Sequence, residues 1–105
     1  MSEKIYTEEE VNKIWQNYSG TSEYKKDKAG AWMNKSLYGK NMAKGEGWEI
    51  DHIKPKSKGG SDELSNLRPL QWENNRAKSD NYPKWTAKVS SDGNSNIYKE
   101  QEIVE

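Results

Sequence analysis

The chain has 105 residues, 17 basic and 17 acidic groups, one histidine and no cysteine. The lack of cysteine excludes disulfides and thiolate-bound zinc, and no stretch is apolar for long enough to span a membrane or to form the apolar core of a signal peptide. This length predicts one domain over residues 1–105 with a small core, and the zero net charge argues against a generic nucleic-acid binder.

Hydrophobic residues make up only 30% of the chain, a low share for a globular domain. Five Trp and six Tyr, with no Phe, make up part of the missing apolar volume. The core is therefore expected to rest on indoles and phenols, which bury a large face and keep a polar tip. Charge is unevenly spread. Residues 21–80 hold twelve basic and nine acidic groups, a net +3, whereas residues 1–20 carry −2 and residues 81–105 carry −1. The expected location is the cytoplasm of a bacterial or phage-infected cell.

In chain order, Thr7 followed by Glu8-Glu9-Glu10 reads as a capping box. Val11, Ile14, Trp15 and Tyr18 then fall on one helical face, and Ser19-Gly20 supplies a stop, predicting a helix over about 8–18. Residues 21–47 are polar and glycine-punctuated. The cluster Ala31-Trp32-Met33 fits a strand or a helical turn equally. Trp48-Glu49-Ile50 predicts a short strand running into Asp51-His52. A loop with Pro55 and a Gly59-Gly60 turn follows, then a strand over Asn66-Leu67-Arg68-Pro69-Leu70. A short helix is predicted from Trp72 to about Ser79, with Glu73 and Lys78 placed favourably for its dipole. Beyond it, residues 85–89 and 97–99 suggest a hairpin around a long turn at 91–94, ending in an acidic, frayed tail.

The chemistry concentrates between the first of these two strands and the second helix. His52 can take a proton from water near neutral pH, and its position at a strand end would expose its ring. Asp51 points to the opposite strand face. It is either a solvated carboxylate or an oxygen ligand for Mg²⁺, which takes one or two protein oxygens plus water and phosphate oxygens. Asn75 offers a second oxygen through its amide, or simply tolerates a helix start. Asn66 is either a turn residue or the group that pins the loop and helps to orient the imidazole. Lys54, Lys56, Arg68, Arg76 and Lys78 could contact flanking phosphates, which position a duplex without reading its sequence.

Residues 48–80 resemble the HNH endonuclease motif, the ββα-metal fold. The resemblance is carried by Asp51-His52-Ile53, Gly59-Gly60-Ser61-Asp62, Asn66-Leu67 and Asn75-Arg76-Ala77-Lys78-Ser79-Asp80, in family order and spacing. The last stretch is also similar to the HNH domain of CRISPR effector nucleases. The resemblance implies an α+β fold: a ββα-metal core at 48–80 with an added N-terminal helix and a C-terminal extension over 81–105. It implies His52 as general base and Asn66 as the asparagine that holds the loop and the histidine. Asp51 and Asn75 would be ligands of one divalent ion, Mg²⁺ or Mn²⁺, with Asn in place of the final His of the motif. The implied activity is DNA strand cleavage leaving 5′-phosphate and 3′-hydroxyl ends.

One departure stands out. Many small members hold a structural zinc with two CxxC pairs, whereas here Gln71 and Asn74 occupy the positions of one pair. No structural zinc is expected, and the N-terminal helix with Trp48, Trp72 and Trp85 is the predicted substitute. The alternatives to an active nuclease are a non-catalytic DNA-binding module and a partner-dependent component of a phage or defence complex. DNA is the expected partner, mainly through its phosphates, and no membrane contact is expected.

Overall fold

The computed structural model describes residues 5–105. Helix α1 (Glu8–Ser19) begins where its capping box predicts. The Thr7 hydroxyl accepts from the Glu10 N–H at 3.1 Å, and the Glu10 carboxylate accepts from the Thr7 N–H at 2.9 Å. The helix stops at Gly20, whose φ of 61° suits a residue without Cβ. Val11, Ile14 and Trp15 are buried.

Strands β1 (Tyr24–Lys26) and β2 (Trp32–Asn34) form a short antiparallel hairpin, so the open choice at residues 31–33 resolves to strand. Strands β3 (Trp48–His52) and β4 (Leu67–Gln71) then pair antiparallel, with Trp48 opposite Gln71 and His52 opposite Leu67. Asn66 lies outside β4, closing a 3-10 turn at Leu64–Asn66. Helix α2 (Trp72–Lys78) follows directly, its first N–H groups capped by the Gln71 side chain. The order strand, loop, strand, helix is the one predicted, and the molecule is α+β.

Strand alternation gives the β3–β4 hairpin two different faces. Trp48, Ile50 and His52 lie on one face. Glu49 and Asp51, with their cross-strand partners Leu70 and Arg68, lie on the other. Each face carries its own core. On the first, Trp48 packs with Val11, Trp15 and Met33, with Tyr6, Tyr18 and Ile50 at the margin. The Trp15 and Trp48 rings tilt at 39° with centroids 5.0 Å apart. Their polar tips are satisfied: Trp15 Nε1 donates to Ser22 O and Trp48 Nε1 to Asn34 O. On the second face, Leu70 packs with Ala29, Trp85 and Ala87.

Strands β5 (Lys84–Asp92) and β6 (Ser95–Val104) correct two expectations. The hairpin turn is tight, with Asp92 opposite Ser95 and only Gly93-Asn94 between them. The acidic tail is not frayed. Pairing continues to Val104, and the Glu105 N–H donates to Pro83 O at 2.8 Å. Paired strands satisfy their own backbone groups whatever the surface charge, which is why composition misled here.

A buried polar network does much of the clamping. Asp27 is 5% exposed. Its Oδ1 accepts from the N–H groups of Ala29 and Ala31, both at 2.9 Å, and its Oδ2 from the Gln71 N–H and from Asn74 Nδ2. Asn74, also fully buried, donates to Val89 O and accepts from the Lys88 and Val89 N–H groups. One carboxylate and one amide thereby tie the β1–β2 turn, α2 and β5 together. Trp48 and Trp85 are buried as predicted, whereas Trp72 is half-buried, with its Nε1 on Met42 O.

No described helix is long and apolar enough to cross a membrane.

Candidate active site

The loop between β3 and β4 is closed by its own backbone. Gly60 packs so tightly that a Cβ there would stand 1.7 Å from Lys54 O, so only glycine fits. Asn66 fastens the same loop from the other side. Its Oδ1 accepts from the Lys54 N–H at 2.9 Å, and its Nδ2 donates to Lys54 O at 3.0 Å and to Ser61 O at 2.8 Å. None of these bonds goes to the His52 ring.

His52 sits at the end of β3 with its side chain 22% exposed. Its Nε2 lies 2.8 Å from Asp62 Oδ1, and the other oxygen of Asp62 accepts from Lys56 Nζ at 2.7 Å. The bond from Lys56 and then that from His52 hold the Asp62 carboxyl at about 2, below its ordinary value. Asp62 is therefore an ionised acceptor at neutral pH. Asp62 belongs to the Gly59-Gly60-Ser61-Asp62 stretch that carries the family resemblance, but its spacing of ten residues from His52 does not reveal the contact with the ring, since the loop has no period to read.

Asp51 is 4% exposed and faces away from His52. Its Oδ2 accepts from Arg68 Nε at 2.9 Å and its Oδ1 from Lys78 Nζ at 3.1 Å. Lys78 also donates to His52 O. Arg68 extends the cluster by donating from both terminal nitrogens to Glu105, which takes a further bond from Trp85 Nε1. Two carboxylates and two cations thus balance in a nearly dry site. Burial pushes the Asp51 carboxyl up, and the two cations oppose that push. Burial also works to raise Glu105, but the bonds from Arg68 and Trp85 hold its carboxyl below the ordinary value.

Two predicted phosphate contacts are corrected here. Arg68 is 5% exposed and Lys78 is fully buried. The β3–β4 register sets Arg68 directly opposite Asp51, and Lys78 shares the inner face of α2 with Asn74, one turn earlier. Their charges serve the interior. Lys54, Lys56 and Arg76 are exposed. Arg76 lies over the Trp72 ring, 5.0 Å from its centroid, and pairs with Glu49 at 3.0 Å.

Asn75 is half-buried and donates from Nδ2 to Glu49 Oε1 at 3.0 Å. A carboxylate and an amide oxygen are the right donors for a hard divalent ion, so Asp51 and Asn75 fit such an ion by type. The electrostatics are less favourable. Each Asp51 oxygen already faces a cation, and a third cation meets their repulsion unless a phosphate arrives with it. Among the described residues no three His, Cys, Asp or Glu side chains gather at one point. A shallow cavity of about 350 Å³ lies between Tyr24, Trp32, Glu46 and Asn94, none of which belongs to this set.

The family model described as HNH endonuclease matches residues 39–81. That segment starts just before β3 and ends just past α2, spanning the hairpin, its loop and the helix. Residues 39–81 are thus similar to HNH endonucleases, and the chain has no cysteine. No curated protein and no solved structure matches the chain.

Proposed function

We propose that this protein is a metal-dependent DNA endonuclease whose ββα-metal unit lies within residues 39–81. One observation carries the reading: the family match coincides with the hairpin and helix that present His52 at a strand end, its ring on a carboxylate and its loop locked by Asn66. Uncatalysed phosphodiester hydrolysis is very slow, so several effects must combine. His52 takes the proton of the attacking water. The hydroxide forms the new bond to phosphorus, the bond to the 3′-oxygen breaks, and that oxygen takes a proton from solvent. Asp51 and Asn75 would hold a divalent ion, Mg²⁺ or Mn²⁺, which when bound would supply charge neutralisation at the scissile phosphate. Lys54, Lys56 and Arg76 offer exposed charge to flanking phosphates. The setting is the cytoplasm of a bacterial or phage-infected cell.

The test is supercoiled plasmid incubated with protein and Mg²⁺ or Mn²⁺, with and without chelator. Wild type converts the plasmid to nicked or linear forms only with metal, and His52→Ala does not. Equal behaviour of the two proteins refutes the reading. A second reading is favoured by the burial of Asp51 between two cations: a DNA-binding module, or a component active only with partners. It gives salt-sensitive DNA binding without scission by the chain alone.

A further inference from the structure

We infer that Asp62 is the positioning residue of His52: it holds the proton on Nε2 of the neutral ring and so leaves Nδ1 as the atom that accepts the proton of water. This rests on the reading of His52 as the general base. The argument begins with the bond itself. Asp62 Oδ1 and His52 Nε2 are 2.8 Å apart. An ionised carboxylate can only accept, so the hydrogen between them belongs to the imidazole nitrogen. A neutral ring carries one such hydrogen, and the other nitrogen then holds a lone pair. Among the described residues Nδ1 has no protein partner, and the side chain is partly open to solvent.

The carboxylate is itself fixed in place. Lys56 Nζ holds its second oxygen at 2.7 Å. Asn66 Nδ2 holds Ser61 O, one residue before Asp62, and the Ser61 hydroxyl accepts from the Glu63 N–H one residue after it, at 3.2 Å. Asn66 therefore acts on the ring at one remove, by placing the loop that carries Asp62. When Nδ1 takes a proton the ring becomes an imidazolium, and the Asp62 charge already faces it. The same carboxylate thus sets the tautomer before the proton moves and stabilises the charge afterwards.

The single histidine makes the test direct, because ¹⁵N-histidine labelling of the full chain gives one ring to observe. Long-range ¹H–¹⁵N correlation, under conditions where the ring is neutral, reads the tautomer. Wild type is expected to show only the Nε2–H form, with that proton slow to exchange. Asp62→Ala is expected to show both tautomers and fast exchange, and Asp62→Glu to restore the first pattern in part. Asp62 is exposed, so a thermal melt should show all three proteins folded. In plasmid cleavage, kcat should fall about tenfold or more in Asp62→Ala, with KM nearly unchanged. A wild-type ring protonated on Nδ1 overturns the inference. So does an Asp62→Ala ring unchanged in tautomer and exchange, or an unchanged kcat. If the ring signatures hold and wild type cuts no DNA, the pairing stands and only the nuclease reading falls.

Discussion

Two buried aspartates hold this chain together in opposite ways. Asp27 faces only neutral donors, three backbone N–H groups and the Asn74 amide. Asp51 faces two cations, Arg68 and Lys78. Burial pushes both carboxyls up, so the difference lies in what compensates the charge. Around Asp27 the compensation is geometric, and the result is a staple between elements. Around Asp51 it is ionic and continues to Glu105. Removing any member there leaves a partner charged and dry, so that cluster is the more fragile of the two.

The strongest way to break this comparison is Asp51→Ala. It leaves Lys78 buried without a carboxylate and Arg68 with Glu105 alone, and should cost about 3–5 kcal/mol. A melting temperature within a degree or two of wild type would show that the cations escape to water. Asp27→Asn comes next. Its new NH₂ must point at N–H groups that now donate to a carboxylate, leaving buried donors unpaired, at a cost of about 2–4 kcal/mol. Chemical denaturation measures this, and a neutral outcome would mean that the network rearranges.

Glu105→Gln keeps the shape and removes one charge from Arg68, at a cost of about 1.5–3 kcal/mol at neutral pH. Its sign with pH sharpens the contrast. The Glu105 carboxyl lies below its ordinary value, so its contribution is present above the unfolded value of roughly 4.3 and is lost as pH falls through the folded one. Wild type and Glu105→Gln should therefore converge in stability on acidification. Raised carboxyls such as Asp27 and Asp51 have the opposite sign, contributing fully at low pH and losing that contribution as pH rises through their folded values.

The smallest effects separate exposed from buried cations. Lys56→Ala should change stability by less than about 1 kcal/mol, because both it and Asp62 are open to solvent. In DNA binding measured against salt, removing Lys54 or Arg76 should each lower the slope by about 1, whereas Lys78→Met should leave it unchanged. A slope that responds to Lys78 would mean that the side chain leaves the interior on DNA.

Much of the frame was legible in the order of residue types. The capping box at Thr7, the apolar spacing through Trp15 and the turn residues between two short apolar runs are local signals, and local hydrogen bonds obey them. Asp51, His52, Asn66 and Asn75 stood out because their order and spacing matched a family. The tail was misread because acidic composition does not reveal a strand partner twenty residues away.

What the sequence determined by itself is therefore the helix, the strand–loop–strand–helix order and the residues worth suspecting, since each depends on near neighbours. Tertiary structure alone decided which charges face inward. Arg68 and Lys78 look like surface cations until β3–β4 pairing and the inner face of α2 bring them to Asp51. It also gave His52 its carboxylate and Asp27 its four donors. Such partners lie ten to nearly fifty residues apart in the chain, and only the closing of loops and the loss of water between them turns distance in sequence into contact.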